Sequence, residues 1–566
     1  MSVPRFAAAA LLALCALAAS PAFAATAPPA PLAPELTARI DALFADWDRP
    51  DTPGCALGVA KDGALVYQRG YGMASLDYGV RNTPDTVFPI GSVSKQFTAM
   101  LVALLAEEGK LGLDDDIRKH LPEMPAYARP ITIRQLVHHT SGLRDYQALR
   151  FLAGFAPSDL ELAPVLALVA RQKGLQFPPG ERFEYSNTNY VLLRVIAERA
   201  AGKPIRDLAA ERLFAPLGMT RSELSEDFER VIPQRATPYT GDLAAGFRGA
   251  HVPPLAGSGG VWTTLADLLR WDENFYSNRL GRARPELVAQ AVTPLVAADG
   301  TPGTYGFGIF LDEHRGRPIQ WHAGRGPGYV ADVVRFPAEH LSVFCLCNGT
   351  IDSRLLSRTV ADLVLGEQPT PLHVAGPTPA RTPLQLPPAT LRAFAGDYQN
   401  PATGTVWNVR AEEAGLVVHA AGTRLELAAS GPAEFWTARP ALDWRIVFED
   451  RPAGGKIVRL FEEGGETARY EPLCGGPGPA ELAVFAGRYL DDELDNPYEL
   501  VVEGGALRLR TKIQPTGELL AAGPDRFVLP TEWFVLTFQF ERDAGGRVTG
   551  FRLDSGGADG FRFRKA

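Results

Sequence analysis

Two short motifs recur in this chain at one fixed offset, and no other feature limits its C-terminal fold as tightly. Phe394-Ala395-Gly396-Asp397-Tyr398 returns as Phe485-Ala486-Gly487-Arg488-Tyr489, and Ala453-Gly454-Gly455 returns as Ala544-Gly545-Gly546, both 91 residues later. Two motifs that keep one offset imply duplicated units, here residues 389–474 and 480–566. Both units alternate short apolar strands with glycine turns and show few helical signals. Each is therefore expected to close into a small antiparallel barrel of about eight strands. Ahead of them, residues 367–388 carry seven prolines and read as a linker.

The region before the linker, residues 25–366, has a different texture. Leu36, Ile40, Leu43, Phe44 and Trp47 recur at helical spacing. Cys55 to Ala60 and Ala64 to Tyr67 are apolar runs around Lys61-Asp62-Gly63, the pattern of a hairpin. From Ser92 to Leu105 the pattern is helical again, with Phe97, Met100, Leu101, Leu104 and Leu105 on one apolar face. Strand character returns near Gly306 to Leu311, Tyr329 to Arg335 and Leu341 to Cys347. These runs predict a mixed α and β domain whose sheet is assembled from both ends of the region.

The balance of 57 Lys+Arg against 65 Asp+Glu leaves a net charge of -8, and no dense basic run offsets it. Nucleic acid is therefore not an expected partner. Arg5, the apolar stretch Phe6 to Ala19 and the small-x-small site Ala22-Phe23-Ala24 read as a secretory signal over residues 1–24. Cleavage is expected after Ala24, which places the protein in the periplasm or outside the cell. The stretch is shorter than the roughly 20 residues that span a bilayer, so no stable membrane anchor is expected. Leu14 ahead of Cys15, where a small residue is usual, argues against lipidation.

Cys55, Cys345, Cys347 and Cys474 lie beyond the signal. Cys345 and Cys347 are two apart in a strand and point to one face. A bridge from Cys55 to either suits an oxidising compartment, although buried free thiols are the favoured state. No metal-ligand spacing emerges and no cofactor is expected; His138-His139 read as packing and loop hydrogen bonds.

Ser92-Val93-Ser94-Lys95 stands at the start of the second predicted helix. Three residues is nearly one turn, so Lys95 lies beside Ser92, while the positive helix end disfavours a second positive charge. A lysine kept neutral there can take the serine proton. With nine lysines in the chain, about 0.4 such matches arise by chance, so the motif alone decides nothing. Tyr185-Ser186-Asn187 follows Pro178-Pro179-Gly180 and precedes a helical run at Val191 to Ile196, which can present a phenol and an amide to a cleft. The plainer alternative is a helix cap beside a buried tyrosine. His322-Ala323-Gly324 follows Trp321 at the start of a strand-like stretch, where small residues admit a close backbone approach.

Taken in order, Ser-x-x-Lys, Tyr-x-Asn and His-x-Gly resemble the penicillin-recognising serine hydrolases, the superfamily of class C β-lactamases, DD-peptidases, related esterases and D-aminopeptidases. Lys110-Leu111-Gly112-Leu113-Asp114-Asp115, His139-Thr140-Ser141-Gly142-Leu143, Leu213-Phe214-Ala215-Pro216-Leu217-Gly218-Met219 and Gly257-Ser258-Gly259-Gly260-Val261-Trp262 look like family stretches too, so the likeness covers about residues 35–365. A catalytic domain followed by two barrels resembles the D-aminopeptidase branch, as does His-x-Gly in place of Lys-Thr-Gly.

The resemblance implies a β-lactamase/transpeptidase-like α/β (α+β) domain, an antiparallel sheet flanked by helices, followed by two small antiparallel β-barrels. It further implies Ser92 as nucleophile, Lys95 and Tyr185 as proton carriers, Asn187 and Gly324 at the substrate, and the backbone N–H groups of Ser92 and Arg325 as the oxyanion hole. His322 stands where relatives place a lysine facing a substrate carboxylate, and a neutral imidazole is a poorer anion partner. Small esters, amides or peptides with a free N-terminal D-residue are therefore the expected substrates, and Glu532 or Asp525 is a candidate for the substrate ammonium. A β-lactamase or DD-peptidase, or a non-catalytic protein that binds cell-wall fragments, are the competing readings. Self-association is left open.

Overall fold

Asp62 and Gly63 both adopt positive φ, 49° and 80°. That turn folds Cys55–Lys61 back on Ala64–Tyr71 as an antiparallel hairpin. The computed structural model describes residues 29–566 apart from 157–160, 228, 244–245, 251–255, 283, 297–299, 368–382, 413–414, 421–422, 438–443, 453, 463–464, 474, 512, 514 and 532–533. The expected signal, most of the proline-rich segment, Cys474, Glu532 and Trp533 lie outside the described residues.

The hairpin is one edge of a six-stranded sheet. Its order runs Phe310–His314, Arg317–Gly326, Tyr329–Phe336, Leu341–Cys347, Cys55–Lys61, Ala64–Tyr71, every neighbour antiparallel. Both ends of the domain thus contribute strands, as the apolar runs predict. Successive strand residues face opposite ways. Leu57, Val59 and Val343 pack under the helices Pro34–Ala42 and Ser353–Val364, while Ala56, Ala60 and Phe344 join the core that surrounds Lys95–Glu107. That last helix is buried from Lys95 to Leu105 on all faces. Among the described residues, no helix is long and apolar enough to cross a membrane.

Three sequence expectations are corrected. Cys55 is not a free thiol but bonded to Cys347. The register places Cys55 directly opposite Cys347, whereas Cys345, opposite Leu57, stays a buried thiol. The strand expected from Gly306 begins only at Phe310, because Gly308 takes φ 74° and presses its backbone against Lys95 and Gln96. The strand that carries His322 begins at Arg317, five residues earlier than expected.

The duplicated units form two closed eight-stranded antiparallel barrels. Their shared motif has a physical cause. Phe394 and Phe485 are buried, and each accepts at its carbonyl the hydroxyl of the tyrosine four residues on: Tyr398 at 2.9 Å, Tyr489 at 2.7 Å. Each barrel therefore begins with a phenol bonding back to the turn before its first strand, after Pro388–Arg392 in one and Pro479–Phe485 in the other. Gly454 and Gly546, with φ of 86° and 79°, make equivalent turns. The first barrel has its own core, with Trp407 stacked on Tyr470. The second shares one continuous apolar core with the N-terminal domain, and Phe534 packs on Phe151.

Candidate active site

Gly91 takes φ 49° and opens a short helical turn, Gly91–Ser94, that runs straight into the buried helix Lys95–Glu107. Lys95 thereby points back into the core beside Ser92. Its Nζ donates to Ser92 Oγ at 3.0 Å, Asn187 Oδ1 at 2.9 Å and Ser258 O at 2.8 Å. Burial pushes the amine down to about 7, with the charge of Asp145 opposing the fall. The partners dictate what a neutral Lys95 does. Asn187 Oδ1 and the Ser258 carbonyl can only accept, so both remaining N–H bonds go to them and the lone pair faces the Ser92 hydroxyl.

Tyr185 and Asn187 reach this point because residues 139–145 act as a template for residues 184–189. The His139 carbonyl accepts from Glu184 N at 2.9 Å, and Thr188 Oγ1 donates to Arg144 O at 2.7 Å. Nδ1 of His139 accepts from Ser186 N and from Asn189 Nδ2. Since a backbone N–H only donates, the imidazole proton sits on Nε2. Asp145 Oδ2 accepts from both the backbone N and the Nδ2 of Asn187. That arrangement replaces the missing side-chain cap at Ser186 and turns the amide oxygen of Asn187 towards Lys95. The Tyr185 ring lies 4.8 Å from Lys95 Nζ and 4.4 Å from the His139 ring. Burial raises the phenol well above its ordinary range, with a hydrogen bond to Ser92 working against the rise. Tyr185 is a neutral donor at any working pH.

The pairing of Phe310–His314 with the next strand stops at Trp321, which leaves the edge from His322 onward open on that side. The Gly91–Ser94 turn fills it. A Cβ on Gly324 would fall 1.9 Å from Ile90 O, and one on Gly91 would fall 2.7 Å from Arg325 N. Only glycine permits this approach, which brings the backbone nitrogens of Ser92 and Arg325 to one place. His322 is fully buried; its Nδ1 donates to Ala323 O at 2.6 Å and its Nε2 accepts from Tyr305 Oη at 3.0 Å. Burial, helped by the nearby lysine, lowers it to about 3, so it stays neutral. Ser92, Tyr185 and Asn187 are half-exposed and Arg325 is exposed, which opens the cluster to solvent on one side.

The structure therefore brings Ser92, Lys95, Tyr185, Asn187, His322, Gly324 and Arg325 together. Sequence reading missed Asp145, Ser258 and Tyr305, which act through a backbone carbonyl or through bonds to other site residues. Asp145 had one local signal, an acid directly before the apolar helix Tyr146–Leu152, which it also caps. Asp525 commits its carboxylate to Arg542 at 2.7 Å. Among the described residues, the potential metal ligands that cluster are Cys55, Cys345 and Cys347, and two of those sulfurs are joined to each other.

Residues 40–365 match the family described as Beta-lactamase. The D-aminopeptidase of Brucella canis is 30% identical over 558 residues, 94% of this chain and 99% of that protein. The D-aminopeptidase of Cereibacter sphaeroides is 30% identical over 521 residues, 88% of this chain and 93% of that protein. Among solved structures, the octameric penicillin-binding protein homologue from Pyrococcus abyssi superposes with a TM-score of 0.53 at 23% identity, covering 77% of this chain and 99% of its own. At that identity the superposition speaks for the fold.

Proposed function

The chain belongs to the β-lactamase family and is a serine hydrolase, and on that premise we propose that it is D-aminopeptidase-like, cleaving amide or ester bonds through an acyl-enzyme on Ser92. The observation that carries this reading is the buried amine of Lys95, 3.0 Å from Ser92 Oγ and lowered to about 7. In the proposed cycle Lys95 takes the Ser92 proton as Oγ attacks the carbonyl. The oxyanion forms against the N–H groups of Ser92 and Arg325, each such donor being worth about 3 kcal/mol of barrier. Tyr185 passes its proton to the leaving amine or alcohol and takes back the one that Lys95 received from Ser92, so both groups are reset; water then repeats the sequence on the acyl-enzyme, its proton going to Lys95 and Ser92 Oγ recovering one from Tyr185. Asn187 orients the substrate amide.

His322 supports the choice of substrate class. A neutral imidazole whose Nδ1–H is committed to Ala323 O offers little to a carboxylate, which weighs against penicillins and peptides with a free C-terminus. The D-aminopeptidase relatives match nearly the whole of this chain, its two barrel segments included. Export belongs to the same proposal: the sequence of residues 1–24 supports it, and the Cys55–Cys347 bond suits an oxidising compartment.

The test is release of p-nitroaniline from D-alanine p-nitroanilide and from its N-acetylated form, by wild type and Ser92→Ala. Turnover of the free-amine substrate alone, lost in Ser92→Ala, is the expected result. Ser92-dependent hydrolysis of simple esters with neither anilide cleaved would keep the mechanism and change the substrate class to esters. Activity that survives Ser92→Ala would overturn the reading.

A further inference from the structure

The loop that holds Asn187 is itself held from the far end of the chain. Arg144 is 5% exposed, and its guanidinium donates to Glu493 Oε2 at 2.9 Å and to the Asp559 carbonyl at 3.0 Å, both in the second barrel, while it lies 4.1 Å from the Phe561 ring centroid. The next residue continues the grip, since Asp145 N donates to Gly557 O at 2.8 Å. Glu493 Oε2 accepts from Lys173 N as well, and Asp559 exchanges hydrogen bonds with Gln176. The turn that does this is braced internally, with Ser555 N and Gly556 N donating to Asp559 Oδ1. A short chain of contacts therefore runs from the second barrel to the reacting atoms: Gly557 to Asp145, Asp145 to Asn187, Asn187 to Lys95.

We propose that Glu493 and the Ser555–Gly560 turn of the C-terminal barrel are positioning elements that fix Arg144 and Asp145 and, through them, the Asn187 amide against Lys95. The proposal rests on the acyl-enzyme reading above. The interface also supplies its own control. Asn496 and Tyr498 of the same barrel donate to Leu152 O at 2.8 and 3.1 Å, at the opposite end of the helix Tyr146–Leu152. They join the two domains without touching residues 144–145.

Misplacement of reacting groups by about 1 Å can cost on the order of 100-fold in rate, so loss of the clamp should show in chemistry and not only in stability. The experiment compares full-length wild type, Glu493→Ala, Glu493→Gln and Asn496→Ala by the rate at which a fluorophosphonate labels Ser92, by kcat on the substrate that wild type turns over, and by thermal unfolding. Glu493→Ala should lower both rates by about 10-fold or more. Glu493→Gln keeps an oxygen where Oε2 accepts both bonds, and should recover to within about threefold of wild type. Asn496→Ala should lower the melting temperature with both rates within about twofold. Folded Glu493→Ala that labels at the wild-type rate, or Asn496→Ala that loses as much activity as Glu493→Ala, overturns the clamp alone. A wild type whose Ser92 is not labelled overturns the acyl-enzyme reading and the clamp together.

Discussion

The acid limb of activity is where the structure makes its sharpest statement. Several titratable groups face Lys95, and most are silent between pH 5 and 9. His322 is lowered to about 3 and His139 well below its ordinary value, both by burial, while burial raises Tyr185 and Tyr190. Burial also raises Asp145, opposed by its hydrogen bonds from Asn187 and Gln147, and Lys95 titrates at about 7. The reaction requires its neutral form, so kcat/KM should rise with pH and level off above 7, falling tenfold for each unit below. At pH 5 the expected value is about 100-fold below the plateau. The charge of Asp145 raises the Lys95 value, so Asp145→Asn should move the limb to lower pH. Relative to its own plateau, the variant should then be more active at pH 6 than wild type is. Initial rates on D-alanine p-nitroanilide, paired with the pH dependence of fluorophosphonate labelling, separate the enzyme's limb from the substrate's. A flat profile from pH 5 to 9, or a limb that Asp145→Asn leaves in place, would refute the assignment of Lys95 as the base.

Two further outcomes follow from the same geometry. Burial of Lys95 costs stability: its folded value lies below the unfolded 10.5, so between pH 7 and 10.5 the unfolded state binds more protons and stability rises with pH. Lys95→Met should therefore be more stable than wild type, by about 2 kcal/mol more at pH 7 than at pH 9, read by denaturant unfolding; an equal difference at both values would contradict the buried, lowered amine. Gly324→Ala would place a methyl 1.9 Å from Ile90 O and force the nucleophile turn off the strand. Loss of one oxyanion donor costs about 100- to 1,000-fold in kcat, and a variant within threefold of wild type would show that the two backbones do not form the hole.

The barrels and the two-ended sheet were legible because period-2 alternation, turn glycines and a constant repeat offset are local or self-referential signals. The Ser92–Lys95 pair was legible because one helical turn is a fixed distance. Asp145 was not, since its role depends on the template pairing of residues 139–145 with residues 184–189, a contact that leaves no periodic trace. The disulfide was missed for a related reason. Spacing placed Cys345 and Cys347 on one face, but only the register of Cys55–Lys61 against Leu341–Cys347 decides which of them meets Cys55. The strand start at Phe310 was obscured because Tyr305 to Ile309 are apolar in both a strand and the close-packed turn that they form.

The sheet assembled from both ends sets a timetable for synthesis. Cys55 and Cys347 are separated by 292 residues, so at roughly 5–20 residues per second a ribosome needs about 15–60 s to supply the partner of the first hairpin. During that interval the edge of Cys55–Lys61 is an open template for wrong pairing. The Ser555–Gly560 turn follows later still, its Asp559 lying 415 residues after Arg144. A nascent chain thus carries its nucleophile sequence long before the grip on Arg144 and Asp145 exists, and full hydrolytic competence should wait for that turn to be made.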